Sequence, residues 1–165
     1  FLVSDILNLP PDFINSNKFD AVVSIAVLNH IPSKELRELA IKNIFNLLKP
    51  NGYFLMTNWN LWNISFKKSW WKLKYPALSN GSIFSQSPRG DCGGAKEKLD
   101  FKGIITYWGQ KKLPLYYHGF TKREIKKLLE KNNFKVIENF YNLKNKKTKC
   151  WKAENLVTAA QKINA

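Results

Sequence analysis

The feature that most constrains the fold is a pair of apolar runs with a helical pattern between them. Residues 21–28 (AVVSIAVL) are almost all apolar, as in a strand of a parallel sheet that is covered on both faces. Ser33 can cap the helix that follows, whose apolar residues recur at helical spacing as far as Leu48. The sequence PNG at residues 50–52 predicts a turn, and residues 53–59 form the second apolar run. Strand, helix and strand in this order predict an α/β fold with a right-handed crossover.

The remaining pattern extends this architecture. Residues 1–10 are predicted to be the tail of a strand, Thr121 can cap a second amphipathic helix, and residues 134–140 and 155–162 have strand patterns. The regular alternation stops between residues 60 and 118, where aromatic residues and lysines are mixed around a Gly- and Ser-rich patch, SNGSIFSQSPRGDCGG, that is predicted to be mobile. The whole chain of 165 residues is expected to form one domain with an insertion at 60–118.

Polar or large aromatic residues stand at the ends of the predicted strands. They are Asp5, Asn29, His30, Asn58 and Trp59. Because ligands of open α/β sheets lie beyond the carboxyl ends of the strands, these residues predict a binding site at one edge of the sheet.

The charge is distributed unevenly along the chain. Residues 1–60 hold five basic and five acidic side chains, so the net charge of +15 lies entirely in residues 61–165. This asymmetry predicts a polyanionic partner such as a nucleic acid. The alternative is a solvated surface, because only three of the 27 basic residues are arginine and a Lys- and Asn-rich composition can reflect the base composition of a genome.

Other sequence features narrow the class of protein. No stretch approaches the roughly 20 apolar residues of a membrane-spanning helix, and the first residues do not form a signal peptide. Cys92 and Cys150 have no metal-type spacing, so no metal site is expected. Two isolated cysteines predict a reducing, cytoplasmic setting.

Two motifs together resemble a known family. SIAVLNHI at residues 24–31 and YYHGFT at 116–121, with LLKPNG at 47–52, are similar to class I S-adenosylmethionine-dependent methyltransferases from their third strand onward. The resemblance is strongest to the tRNA methyltransferases that act on wobble 5-carboxymethyluridine, which have a second His where Asn29 stands here. It implies a Rossmann-like class I fold with the aromatic and basic insertion after the fifth strand, S-adenosylmethionine as cofactor, tRNA as partner and a small activating subunit as in eukaryotic relatives.

The resemblance also implies residue roles. The adenine end of the cofactor would be bound by Asp5, Ile6 and Leu7, and its methionine arm by Ser24, Ile25, Ala26 and Val27. The catalytic candidates are His118, Tyr117 and His30. The substrate-binding candidates are Asn58, Trp59, Tyr116, Lys122 and Arg123. The alternative roles are structural: a surface Asp5 that opens a turn, ordinary strand core at 24–27, and a packed His30.

The expected methyl transfer does not require these side chains to remove a proton. The carboxyl group of carboxymethyluridine is ionised at neutral pH, because carboxyl pKa values lie near ~4. No general base is then needed, and His118 and nearby cations would orient the carboxylate. A tyrosine of the YYH triplet would stack on the base.

One part of the family pattern is missing from the sequence. The first strand with its Gly-rich loop, and the acidic residue that holds the ribose, would precede Phe1, so we expect the chain to be the carboxyl-terminal two-thirds of the fold. The strands would then lie in the family order 4-5-7-6, with residues 21–28 at the edge and residues 1–6 without a place beside the sheet. No measurable affinity of this chain for S-adenosylmethionine is expected. Two alternatives remain: a methyltransferase for a small metabolite or quinone, and a non-catalytic RNA-binding remnant.

Overall fold

The central element of the fold is a five-stranded sheet that carries two helices on one face. The computed structural model describes residues 3–12, 19–63, 102–108 and 113–163. The strands are β1 (Phe19–Ile25), β2 (Leu48–Trp59), β3 (Gly103–Trp108), β4 (Leu113–His118), β5 (Phe134–Leu143), β6 (Lys146–Thr148) and β7 (Asn155–Lys162). The helices are α1 (Lys34–Leu47) and α2 (Lys122–Lys131), with a short 3₁₀ turn at Leu28–His30. Cys92 and the Gly- and Ser-rich patch at residues 79–94 lie outside the described residues.

The strands of the main sheet lie in the order β1-β2-β7-β5-β6. β1 pairs with β2 in parallel, whereas β2 with β7 and β5 with β7 are antiparallel. β1, β2, β7 and β5 take the places of strands 4, 5, 7 and 6 in the family's numbering. The expected order is therefore confirmed, with β1 at the edge. The short, lysine-rich β6 extends the far edge, and β3 and β4 form a separate antiparallel hairpin.

β1 ends three residues earlier than its apolar run. Ala26 has a φ of 53°, in the left-handed region that interrupts a strand, and residues 28–30 then form the 3₁₀ turn. Leu28, the last apolar residue of the run, is buried in the main core instead of continuing the strand.

The predicted turn at residues 50–52 is a bulge. β2 begins directly after α1, and its pairing shifts so that Phe19 lies opposite Leu48 while Ala21 lies opposite Tyr53. Asn51 lies in this bulge and has a φ of 60°, in the left-handed region. At Gly52 an added Cβ would lie 2.9 Å from the carbonyl oxygen of Lys49, so this close approach requires glycine.

Both predicted helix caps are confirmed. The Ser33 hydroxyl accepts a hydrogen bond from the amide of Leu36 (3.1 Å), and the Thr121 hydroxyl accepts one from the amide of Glu124 (3.3 Å). Each cap starts a helix whose apolar face packs into one core with the sheet. Among the described residues, neither helix is long and apolar enough to cross a bilayer.

Only one face of β1 is covered in the described part of the chain. Val22 packs against the core and Ser24 is buried, whereas Val23 is 61% exposed and Ile25 is 71% exposed. Tyr53 and Leu55 of the neighbouring strand are exposed as well. Within the described residues the two helices pack on the same side of the sheet, so β1 differs here from the expected strand with two covered faces.

The first segment also differs from its prediction. Residues 3–10 form no strand, and Val3 is exposed. Ile6 and Leu7 nevertheless pack against the main core, and the Asn43 side-chain amide donates to the carbonyl of Ile6 (2.7 Å). The segment therefore lies outside the sheet, as expected, but is held against α1.

Val23→Lys should reduce self-association of the protein without unfolding it. A lysine on an exposed edge strand opposes pairing with a second chain, and the exposed Val23 makes few contacts that could be lost. We expect a lower sedimentation coefficient at high concentration and a change of less than about 1 kcal/mol in the free energy of unfolding. As a control, Phe54→Ala should cost about 3–5 kcal/mol, because that ring is fully buried. Unchanged association of the lysine variant would contradict this role of the edge.

Candidate functional site

Three rings meet beyond the carboxyl ends of β1 and β2. Trp59 ends β2, Tyr117 lies on β4 and His30 lies in the 3₁₀ turn after β1. Trp59 and Tyr117 are stacked, with ring centroids 5.2 Å apart and planes inclined by 14°. The His30 ring lies 4.5 Å from Tyr117 and 6.4 Å from Trp59. The structure thus brings together three residues that the sequence predicted, and we call them the aromatic cluster.

The backbone after β1 places His30 in this cluster. The amide of Ala26 donates to the carbonyl of Thr57 (2.9 Å), which holds the end of β1 against β2. The amide of His30 then donates to the carbonyl of Val27 (2.9 Å) and closes the turn. The Nδ1 atom of His30 lies 3.2 Å from the carbonyl oxygen of Tyr116, so the tautomer with Nδ1–H can donate to it and leave Nε2 as an acceptor.

The exposure of the rings decides what each can do. Trp59 is 37% exposed and His30 is exposed, so both can touch a ligand. Tyr117 is buried, and burial raises the pKa of its hydroxyl. Tyr117 therefore stays neutral at physiological pH and can donate a hydrogen bond.

Two buried amides lie beside the cluster in sequence. Asn29 and Asn58 are fully buried, and neither side chain has a hydrogen-bond partner among the described residues. A buried polar group without a partner costs about 1–3 kcal/mol. Asn58 was predicted to bind substrate, but its side chain is buried on the opposite face of β2 from Trp59, so this role stays a prediction.

His118 faces the other side of β4 from Tyr117, because successive side chains of a strand alternate. It is buried, its ring packs edge-on against Phe120 (4.6 Å), and its Nε2 lies 2.6 Å from Oε1 of Glu124. The other carboxylate oxygen of Glu124 accepts from Lys102 (2.5 Å). The role predicted for His118 stays a prediction, but in this geometry it acts within a pair with Glu124.

Glu124 is held strongly ionised by these contacts. Burial favours its neutral form, but hydrogen bonds and charge from His118 and Lys102 outweigh burial and lower the pKa of Glu124 to about 2. The carboxylate therefore keeps its negative charge across the physiological range.

A groove of about 550 Å³ lies beside this pair, between the amino-terminal turns of α1 and part of α2. Its basic lining residues are Lys34, Arg37, Lys102, Arg123, Lys127 and Lys131, and its acidic ones are Glu38 and Glu124. Arg37 is buried and donates to the carbonyl of Ile31 (2.8 Å), with its guanidinium 5.7 Å from the Phe120 ring. The excess of cations suits an anionic ligand, and we call this feature the basic groove.

The remaining substrate candidates are dispersed. Arg123 lines the basic groove, as a binding role requires. Lys122 is not part of the lining, and its ammonium lies 5.9 Å from the Tyr141 ring on β5. Tyr116 is buried and supplies the carbonyl that His30 contacts.

The residues present fit the cofactor in part. Ser24 and Ile25 end β1, and Ala26 and Val27 follow it, so the residues predicted to bind the methionine arm lie at the carboxyl end of this strand. Asp5 instead turns back on its own chain, accepting from the amide of Leu7 (2.9 Å). Asn43, which holds this segment, belongs to the last two turns of α1, near the amino end of β2. The structure therefore does not bring the predicted adenine residues to the end of β1.

Sequence reasoning missed Glu124, Arg37 and Lys102. A signal for Glu124 existed, because Thr121-Lys-Arg-Glu124 has the spacing of a capping box, which puts a carboxylate in the first helical turn. That carboxylate bonds His118 here. Nothing in the local sequence indicates that Arg37 is buried or that Lys102 reaches α2.

Glu124→Gln should lower the free energy of unfolding at pH 7 and make that free energy less dependent on pH in the acid range. Because the folded pKa of Glu124 is about 2 and the unfolded value is near 4.3, its contribution is complete above about pH 4.3 and is lost as the pH falls towards 2. We expect a loss of about 1–3 kcal/mol at pH 7, measured by urea unfolding at pH 7, 4.5 and 3. Glu130→Gln is the control, because that exposed carboxylate makes a weak surface pair with Lys126 four residues away. Parallel pH profiles of Glu124→Gln and the unmodified protein would refute this account.

Comparison with known proteins agrees with the fold. The family described as "Methyltransferase domain" matches residues 1–133. The tRNA (carboxymethyluridine(34)-5-O)-methyltransferase of Arabidopsis thaliana is 40% identical over 58 residues, which cover 35% of this chain and 14% of that protein. The probable tRNA methyltransferase 9B of Mus musculus is also 40% identical over 58 residues, which cover 35% of this chain and 12% of the mouse protein. The chain thus matches only a small part of the length of these relatives.

Solved structures extend the comparison to nearly the whole chain. A SAM-dependent methyltransferase from Methanosarcina mazei has a TM-score of 0.63 at 19% identity, covering 100% of this chain and 68% of that one. An S-adenosylmethionine-dependent methyltransferase from Clostridium acetobutylicum has a TM-score of 0.62 at 14% identity, covering 99% of this chain and 64% of that one. The chain belongs to the methyltransferase domain family, with the fold of the class I enzymes that use S-adenosylmethionine as methyl donor.

Proposed function

We propose that the chain belongs to a tRNA methyltransferase that methylates the carboxylate of a carboxymethyl group on uridine. The observation that carries the proposal is the aromatic cluster at the strand ends, which shares β4 with the basic groove through Tyr117 and His118. The two relatives whose names specify tRNA methyltransferases support the same substrate class.

The aromatic cluster suits an unpaired base. One face of Trp59 packs on Tyr117, while the ring remains partly exposed and can stack on a base that is turned out of an RNA loop. Stacking of this kind is worth about 1–3 kcal/mol per base. The neutral hydroxyl of Tyr117 and the Nε2 atom of His30 add one donor and one acceptor near the ring edges.

The charges suit an anionic acceptor. A carboxymethyl group is ionised near neutral pH, so it needs orientation and neutralisation and no proton removal. S-adenosylmethionine supplies an electrophilic methyl group when it is bound. The side chains of the chain would align the carboxylate and keep water away, since methyl transfer to an anion is favoured in a poorly solvated site.

His118 supports this arrangement from the face of β4 opposite to Tyr117. Its pairing with Glu124 fixes the first turn of α2, from which Arg123 points cationic charge at the basic groove. We therefore assign His118 a positioning role, and leave substrate contact to the aromatic cluster.

Methyl transfer by the intact protein tests the proposal. With labelled S-adenosylmethionine and total tRNA, we expect a base-labile methyl ester on a uridine derivative, identified by mass spectrometry of the nucleosides. Transcribed tRNA without carboxymethyluridine is the matched control and should remain unlabelled. Labelling of a small metabolite with none of tRNA, or no labelling at all, would overturn the proposal in favour of the alternatives.

Trp59→Ala should lower kcat/KM for tRNA. The loss of one stacking surface, worth about 1–3 kcal/mol, corresponds to a decrease of about 5- to 150-fold. Tyr53→Ala is the control, because Tyr53 is an exposed aromatic residue in the middle of the same strand, away from the aromatic cluster. An equal effect of both substitutions would assign Trp59 to stability instead of substrate binding.

A further inference from the structure

A second basic and aromatic surface lies at the far edge of the sheet. Residues 144–152, at the β5–β6 hairpin and the loop after it, contain five lysines and no acidic residue. The lysines are all exposed; they are Lys144, Lys146, Lys147, Lys149 and Lys152. Trp151 lies among them and is 47% exposed. We call residues 147–152 the Trp151 loop.

The loop has the shape of a shallow binding surface. A depression of about 610 Å³ is lined by Lys147, Thr148, Lys149, Trp151 and Lys152. The ammonium of Lys149 lies 5.2 Å from the centre of the Trp151 ring, so a cation and a flat apolar surface are presented together. Lys147 is also paired with Glu138 (3.2 Å), but both side chains are exposed and such pairs are weak.

Hydrogen bonds fix the loop next to the aromatic cluster. The Asn60 side-chain amide donates to the carbonyls of Cys150 (2.6 Å) and Ala153 (2.9 Å), and its backbone amide donates to the carbonyl of Glu154 (2.8 Å). Asn63 donates to the carbonyl of Ala153 as well (3.2 Å). Because Asn60 directly follows Trp59, the loop is anchored at the carboxyl end of β2.

We propose that the Trp151 loop is a contact surface for single-stranded RNA, with Trp151 stacking on a base and the lysines binding the flanking phosphates. The inference rests on the proposed function, which supplies RNA as the substrate, and adds a second contact beside the aromatic cluster. A stacking ring within a row of cations matches the alternation of base and phosphate in a single strand. A lipid surface fits less well, because residues 144–152 offer little apolar area besides Trp151.

Fluorescence anisotropy with a labelled anticodon stem–loop RNA tests the inference without cofactor. Trp151→Ala should weaken binding by about 5- to 150-fold, the equivalent of one stacked base. Trp151→Phe should restore much of the affinity, because a smaller ring still stacks, and thermal unfolding will show whether each variant is folded. Affinity unchanged in the alanine variant would overturn the inference.

Salt dependence tests the phosphate contacts separately. Replacing Lys149 and Lys152 by Gln should reduce the slope of log affinity against log salt by about 1.4, which is ~0.7 for each lost phosphate contact to a single strand. The matched control replaces the exposed Lys42 and Lys135 by Gln, which changes the net charge equally at other surfaces. Equal slopes in the two double variants, or binding to phosphatidylserine vesicles but not to RNA, would overturn the inference.

The outcomes separate this inference from the proposed function. If the protein methylates tRNA while the Trp151 variants bind RNA normally, the loop has no RNA role and the proposed function stands. If RNA binding depends on Trp151 while no tRNA is methylated, the proposed function fails and the RNA surface stands.

Discussion

The hydrogen bond between the amide of Ala26 and the carbonyl of Thr57 is the contact on which the site depends. It holds the end of β1 against β2 although Ala26 adopts a left-handed conformation, which costs of order 1–2 kcal/mol for a residue with a Cβ. Burial of Leu28 immediately after it favours the same bend. With the chain turned at this point, His30 reaches Tyr117 and Trp59, so the polar residues that follow β1 lie at the site.

The parts of the fold that follow from local pattern could be predicted. Ser33 and Thr121 start helices because a hydroxyl satisfies a free amide at each start, whatever lies beyond. The apolar runs identified β1, β2 and β7 because burial requires them. Bounds were less predictable where the backbone departs from regular geometry. At Ala26 the apolar residues continue past the end of β1, and at Asn51 the turn residues Pro50 to Gly52 form a bulge inside β2.

The location of the candidate site could be predicted from the sequence, but the contacts between its residues could not. Polar residues at strand ends indicated where it lies, since parallel strands align their carboxyl ends. Which residues meet there depends on contacts across the chain: Trp59 with Tyr117, Lys102 with Glu124 and the Trp151 loop with Asn60. No local pattern encodes such pairs, and the buried amides Asn29 and Asn58 are visible only once the packing is known.

The register of β4 against β3 decides which chemistry faces which side. Tyr117 lies opposite Ile104, and His118 lies opposite Gly103, so adjacent residues serve the aromatic cluster and the basic groove respectively. A shift of one residue in the pairing would turn the His118 imidazole towards Trp59 and the Tyr117 phenol towards Glu124, so the two side chains would exchange environments. Insertion or deletion of one residue in this hairpin would therefore be far more damaging than insertion or deletion of two, which restores the facing of each side chain. Substitutions, which leave the register unchanged, would not reveal this dependence.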